Sequence, residues 1–475
     1  MRAQDWTASI ERLPGVLAAQ RAAYLRDGPL SMERRAAAMD ALVEALLSRS
    51  EDFAQAISAD FGHRSPHETR LADIFPVIAG LRHARRHFRR WAKPTRRPID
   101  LMFRPARGEI MWQALGVVGI VAPWNYPVQL ALGPLTGAIA AGNRAMIKPS
   151  ELTPATSALL AEVIALVFLP EDVAVIQGGP EVAQAFSSLA FDHLLFTGST
   201  GVGRKVMRAA AEHLVPVTLE LGGKSPVVLA PDFPVAKAAE RIAVGKLFNA
   251  GQTCIAPDYA LVPRVQEAAF IDAYSQAVAR LYPSLAGNPD YTAIVSDAHF
   301  DRLTALVADA RGRGAMVREI NPANETVSAL ARKFPPVVLS GVPTDATALR
   351  EEIFGPVLPV VPYDDLAEAC RYINERPRPL AFYLFSNDQA TVDHALAATI
   401  SGGVALNDTL LHCVQEELPF GGVGESGMGA YHGEAGFRTF SHARSVFRQS
   451  RLNGAGMTRP PYGKRMNWLL NLVLR

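Results

Sequence analysis

The sequence predicts an α/β protein made of two parallel-sheet domains. Two observations carry this. Short apolar, β-branched runs alternate with helical stretches of roughly 10–15 residues, the pattern of βαβ units. The series occurs twice, before and after residues 220–225, which places a domain seam there. A chain of 475 residues has room for both domains and for smaller appendages.

The elements follow in order. Residues 31–60 read as helix, with Met39, Leu42, Val43, Leu46 and Leu47 spaced as one apolar stripe and Gly62 as the stop. The basic run RHARRHFRRWAKPTRRP, 82–98, reads as a solvated helix face entering a Pro-bounded connector. LGVVGIVAP, 115–123, is a buried strand. Pro127 opens a helix through Ala141, and RAMIKP, 144–149, is the next strand. The helix at 153–167 starts with Thr153 as N-cap and Pro154 at its first position. VAVIQG, HLLFTG and VTLELGG complete the first series. PVVLA, a helix near 234–249, YALVP and a helix near 265–281 begin the second, and LPVVPY, AFYLFS and GGVALN continue it. Gly454, Gly456, Pro460 and Pro461 form a linker before the apolar tail RMNWLLNLVLR, which is too short to span a bilayer. The tail is expected to pack on the body or on a partner subunit.

Composition excludes several classes. With 48 basic and 46 acidic residues the formal charge is +2, which gives no reason to expect nucleic acid as partner. Hydrophobic residues at 49% and charged residues at 20% are those of a globular protein. The three cysteines, Cys254, Cys370 and Cys413, are odd in number and widely spaced, which argues against a disulfide framework and against a zinc site. A reducing, cytoplasmic setting fits. MRAQDWTASI has no apolar core like that of an export signal.

Several short stretches can carry chemistry. In FNAGQTCIAP, Cys254 sits among small and amide-bearing residues rather than in an apolar run, a setting for a reactive thiol as well as for a structural one. FTGSTGVGRKV follows a strand and enters a helix. Its Gly198, Gly201 and Gly203 either admit a phosphate to the helix N-terminus or serve packing. Lys148 and Glu151 of IKPSE end a strand, where a ribose could be shared between them or where they form a surface ion pair. Glu220 of ELGGKSP ends an apolar strand. A desolvated carboxyl there is a better base near neutral pH; the alternative is a carboxylate held by the two glycines. Asn125 of PWNYP offers a neutral donor to an oxyanion. EEIFGP places a carboxylate and an aromatic on a constrained turn.

Taken in this order, PWNYP, IKPSE, FTGSTGVG, ELGGKSP, FNAGQTC, EEIFGP and LPFGGVGESGMG resemble the aldehyde dehydrogenase superfamily across residues 30–450. The compact N-terminus and FTGSTGVGRKVMRAAAEHLVPVTLELGGKSP resemble its class 3 branch. YPSLAGNPDYT and GMGAYHGEAGFRTFSH resemble bacterial coniferyl aldehyde dehydrogenases. The resemblance implies a Rossmann-like NAD-binding domain (1–96 and 115–220), an α/β catalytic domain (221–425), an oligomerisation arm (97–114 and 426–450) and a tail (451–475). It implies Cys254 as nucleophile, Asn125 with the Cys254 N–H as oxyanion donors, and Glu220 as the base for water. It assigns Trp124, Lys148, Glu151, Gly198, Ser199, Gly201, Gly203, Glu352 and Phe354 to NAD, with NADP as a possible second coenzyme, and Tyr126 to the aldehyde pocket. No metal, nucleic acid or membrane contact is implied, and a homodimer is.

The expected reaction is coniferyl aldehyde to ferulate, against a broad fatty and aromatic aldehyde range as the alternative. A CoA-acylating relative would not need Glu220, and a structural protein on this fold would need neither Cys254 nor Asn125.

Overall fold

The computed structural model describes residues 6–326, 329–453 and 459–474. Five parallel strands form most of a first sheet: Val117–Val121, Arg144–Lys148, Val173–Val175, His193–Gly198 and Val217–Leu221. Numbered along the chain, they lie side by side as 3-2-1-4-5. That is the dinucleotide-binding order, and its direction reverses between the first and fourth strands. The short strand Gly427–Met428 adds antiparallel to Val217–Leu221. Strands such as Val117–Val121 and Arg144–Lys148 are buried along their whole length because helices cover both faces. One face packs on Gln129–Ala141, Pro154–Val167 and the helices of residues 32–91. The other carries Thr7–Asp27, Pro180–Ser187 and Thr200–Ala211.

The second sheet has seven strands. Six run parallel in the spatial order Val337–Ser340, Val357–Tyr363, Tyr259–Pro263, Pro226–Leu229, Ala381–Phe385, Gly403–Leu406, and Met316–Glu319 pairs antiparallel at the edge. Only Gly222 to Ser225 separate the last parallel strand of the first sheet from Pro226–Leu229. A third sheet joins Thr95–Arg97, Arg107–Ala114 and Ser441–Arg448, all antiparallel. It is half-exposed and bears the exposed apolar residues Leu101, Met102, Phe103 and Phe447.

Some local expectations needed correction. The helical stretch 31–60 is two helices, Met32–Ser48 and Ser50–Phe61, broken at Arg49. Met39, Leu42 and Leu46 are buried, but Leu47, about 100° further round the same helix from Leu46, is 54% exposed. Thr153 occupies the N-cap position without capping: its hydroxyl donates to the Ser150 carbonyl. Asp60, nearly a hundred positions earlier, accepts the Ala155 and Thr156 N–H groups instead. The basic run lies on Phe75–Trp91, where Arg85 and Arg89 reach Asp40 and Glu33. The tail forms the helix Lys464–Val473, with Trp468, Leu470 and Leu472 exposed. Gly454 and Gly456 lie outside the described residues, and no described helix is long and apolar enough to cross a membrane.

Candidate active site

The reversal of strand order leaves a crevice at the carboxyl ends of Val117–Val121 and His193–Gly198. The first strand delivers Trp124, Asn125 and Tyr126 to it; the second delivers Gly198 and Ser199. A buried ion pair holds the first turn. Arg64 and Asp73 are fully buried and 3.1 Å apart. Asp73 accepts the N–H groups of Val128 and Gln129, and Arg64 donates to the Asn125 carbonyl at 3.1 Å. Asp73 sits in a single π-helical turn, Arg70–Ile74, a widening of the helix often found beside functional sites.

Cys254 follows an unusual loop. Asn249, Ala250 and Gly251 all have positive φ, near 54°, 51° and 75°. A left-handed non-glycine residue costs about 1–3 kcal/mol, so its surroundings must hold it. They do. The Asn249 amide donates to the carbonyls of Asn125 (3.2 Å) and Gln252 (3.0 Å), and the Asn249 N–H donates to Glu68. Gln252 donates to the Asn249 and Ala293 carbonyls and accepts the Val295 N–H. The Asn and Gln of the FNAGQTC stretch are thus scaffold, and their bonds place Cys254 beside the Asn125 turn.

Two buried carboxyls lie near the thiol. Glu220 is 3% exposed, and neither of its oxygens has a hydrogen-bond partner among the described residues. Burial pushes its pKa well above the carboxylate range. The glycines of ELGGKSP do not hold it. Glu352 accepts the Gly223 N–H, and burial, with Asp258 adding, raises its pKa to about 8. One of its oxygens is buried and unpartnered. Cys254 is half-buried, and desolvation, then Glu352, Cys413 and Glu220, push its pKa up. No cationic side chain is among the groups that shift it.

The three glycines of the turn differ. A methyl group on Gly198 would meet the Phe196 ring at 2.6 Å, and one on Gly203 would meet Leu221 at 2.6 Å. One on Gly201 would meet nothing within 4 Å. Only Gly201 therefore faces open space, at the N-terminus of Thr200–Ala211, where Ser199 caps through the Val202 N–H. Lys148 is buried, donates to the Pro149 carbonyl and lies 3.7 Å from the exposed Glu151. Trp124 is ringed by Phe61, His299 and Phe354, and Phe354 has a left-handed backbone at φ 50°.

Cys254 opens onto a cavity of about 400 Å³. Its walls include Tyr126, Phe248, Leu410, Phe420 and Tyr431 and are mainly apolar. The Tyr126 hydroxyl bonds that of Thr253, and the Arg64 guanidinium stands 4.9 Å over its ring. Of the site residues, Cys254 and Tyr126 line this cavity, and Asn125, Glu220 and Trp124 do not.

The family model described as the aldehyde dehydrogenase family matches residues 12–446. The chain belongs to the aldehyde dehydrogenase family. It is similar to a protein named probable coniferyl aldehyde dehydrogenase from Caulobacter vibrioides, 52% identical over 94% of both chains. A protein named coniferyl aldehyde dehydrogenase from a Pseudomonas species is 47% identical over 98% of this chain and 96% of its own. Among solved structures, a substrate-bound Staphylococcus aureus AldH superposes with a TM-score of 0.91 at 37% identity, over 97% and 99% of the two chains. PnpE, solved with nicotinamide adenine dinucleotide, superposes at 0.85 with 26% identity, over 94% and 91%.

As an aldehyde dehydrogenase, the protein oxidises aldehydes. Its coenzyme crevice fits a dinucleotide on three observations: the open Gly201 turn, the unpartnered oxygen of Glu352, and the Lys148–Glu151 pair at the end of a parallel strand. Sequence reasoning missed Arg64, Glu68 and Asp73. Each acts through residues far along the chain, and their own segment has no motif to mark them. Asn249 and Gln252 were visible in FNAGQTC, but as polar neighbours of a thiol rather than as its mould.

Proposed function

We propose that this aldehyde dehydrogenase oxidises coniferyl aldehyde to ferulate, with NAD favoured over NADP. The supporting observation is the apolar, aromatic-walled cavity that ends on Cys254. The names of the similar proteins agree with it. Cys254 sulfur gives up its proton to water and bonds the carbonyl carbon, and the electron pair of the C=O moves to oxygen. The Asn125 amide and the Cys254 N–H donate to that oxygen. The coenzyme, when bound, supplies a hydride acceptor and a positively charged ring, the charge this thiol lacks. Glu352 and Phe354 position the ring side, with Trp124 packed against Phe354; Gly198, Ser199, Gly201 and Gly203 position the pyrophosphate, and Lys148 and Glu151 the adenosine ribose. Glu220, with both oxygens unpartnered, takes a proton from the water that hydrolyses the thioester.

In the same reading the first sheet and its helices form the coenzyme domain, and the second sheet carries the catalytic loop. The half-exposed third sheet is the contact of a homodimer, with Leu101 and Phe447 as apolar surface to bury. Three unpaired cysteines suit a cytoplasmic enzyme. The substrate test compares kcat/KM for coniferyl aldehyde, benzaldehyde and octanal. Coniferyl aldehyde should lead. If octanal leads by more than about tenfold, the aromatic reading falls, since an aromatic contact is worth about 0.5–1.5 kcal/mol beyond burial.

A further inference from the structure

Away from Cys254, on the far side of the aldehyde cavity wall, two histidines and a glutamate converge. His83 and His87 are one helical turn apart on Phe75–Trp91, and Glu417 comes from the loop after Leu411–Val414. Their ligand atoms all lie within 4.8 Å of one another. Among the described residues this is the one such group of three. His83 is buried, at 9% exposure, and its Nε2 has no hydrogen-bond partner. That atom stands 3.2 Å from a Glu417 oxygen, close but misaligned for a hydrogen bond. The second ring is already oriented: His87 Nδ1 bonds the His83 carbonyl at 2.9 Å, which leaves Nε2 as the free nitrogen. A carbonyl holding one imidazole nitrogen while the other faces a metal is the usual support of a histidine ligand. Histidines four residues apart on one helix face are a recurrent zinc-binding pair.

We propose that His83, His87 and Glu417 bind a divalent transition ion of the zinc type, which clamps two walls of the aldehyde cavity together. Zinc holds nitrogen and oxygen ligands at about 2.0–2.2 Å, so tetrahedral partners stand roughly 3.4 Å apart. The His83–Glu417 distance already matches, and rotation of the half-buried His87 ring and the exposed Glu417 would bring the remaining pairs in from within 4.8 Å. Two imidazoles and one carboxylate leave a fourth position for water. Neutral nitrogen ligands favour zinc, nickel or copper over magnesium and calcium. Arg86 and Arg90 bring positive charge near His83, which works against cation binding. The consequence lies in what the ligands are attached to. The helix of His83 and His87 gives Gly80, Ala84 and Trp91 to the cavity wall; the loop before Glu417 gives Cys413, Val414 and Glu416. An ion between them fixes the loop against the helix. That the cavity is the aldehyde's rests on the function proposed above; binding of the ion does not.

The test uses the full, untagged chain with Cys254→Ser and Cys413→Ser, so that thiols do not compete for metal. Calorimetric titration with Zn²⁺ alone and with Ni²⁺ alone should show one site per chain. His87→Ala and Glu417→Gln, both at accessible positions, should each weaken binding by at least the roughly 10–100-fold that loss of an outer partner costs. Hydrogen exchange across 411–418 should slow with metal in the parent and not in His87→Ala. Absence of one-to-one binding at micromolar metal, or binding undiminished in either variant, overturns the site. Binding without slower exchange across 411–418 overturns the clamp. None of these readouts uses turnover, so failure here is distinct from failure of the proposed reaction.

Discussion

The loop before Cys254 and the turn at Gly198–Gly203 are built in opposite ways. The loop is buried, left-handed at three successive residues, and cross-linked by Asn249, Gln252 and Glu68 to distant loops and a helix. The turn is largely exposed, held by the Ser199 cap and by the Thr200 hydroxyl on the Glu425 carbonyl, and open at Gly201. A nucleophile must stand where a carbon will arrive, so its backbone is fixed in advance at the cost of strain. A phosphate needs free N–H groups and room, so bonds there would occupy what the ligand uses. The difference predicts how each region fails: the loop through loss of chemistry, the turn through loss of affinity.

The sharpest way to break the comparison is Cys254→Ala. Dehydrogenase activity should vanish while coenzyme binding, measured by fluorescence titration, stays within about twofold. Turnover retained in this variant, and lost instead in Cys370→Ala, would show that the rigid loop serves folding alone.

Glu220→Gln comes next. Steady-state turnover should fall by roughly 10²–10⁴, the usual worth of a general base. A first-turnover burst of reduced coenzyme should survive, because the thioester forms before water is needed. Burial raises the Glu220 pKa, so its basic form is gained only as pH rises above the ordinary carboxylate range near 4.3. Thioester hydrolysis should therefore speed up with pH above that value, and Glu220→Gln should flatten the profile. A wild-type acid limb at pH 4 would mean that bound ligands or water restore an ordinary carboxylate.

Much of this was legible in the sequence, and the reason differs by element. YALVP at 259–263 coincides with its strand, because an all-apolar run bounded by Pro needs no distant information. The helix at 154 was legible too, but its cap was not. Thr153 has the right identity, yet Asp60 does the capping, from a helix that only the tertiary fold brings near. The same limit hid Arg64 and Asp73. A charged pair in the core shows in a sequence as two ordinary surface residues, until burial makes each need the other. Leu47 fails in the other direction: its spacing is that of a core position, yet it lies at the edge of the apolar stripe and is exposed.

Within the turn, Gly203→Ala and Gly201→Ala separate packing from access. The methyl group at 203 meets Leu221 and should destabilise by about 1–3 kcal/mol, as overpacking does, seen as a lower Tm. The one at 201 meets nothing, so Tm should hold while the coenzyme KM rises several-fold. Equal Tm losses in the two would remove the distinction between a packed and an open glycine.

The smallest effect is expected at Glu151. It is 3.7 Å from Lys148, exposed, and at the end of a parallel strand beside the crevice. Lys148 is buried, and desolvation lowers its pKa while Glu151 opposes that shift. The pair therefore presents one screened negative charge and one partly compensated positive charge to a ribose. A carboxylate there repels a 2′-phosphate, but at surface exposure such a repulsion is worth about 1 kcal/mol or less. Wild type should thus favour NAD without excluding NADP. In Glu151→Gln the amide keeps a hydrogen-bond acceptor for the ribose and removes the charge. The ratio of kcat/KM for NADP over NAD should rise by about three- to fivefold, mainly through the NADP KM, and the shift should shrink as salt screens the charge. A ratio that stays fixed, or moves toward NAD, would place the adenosine ribose elsewhere than at this pair.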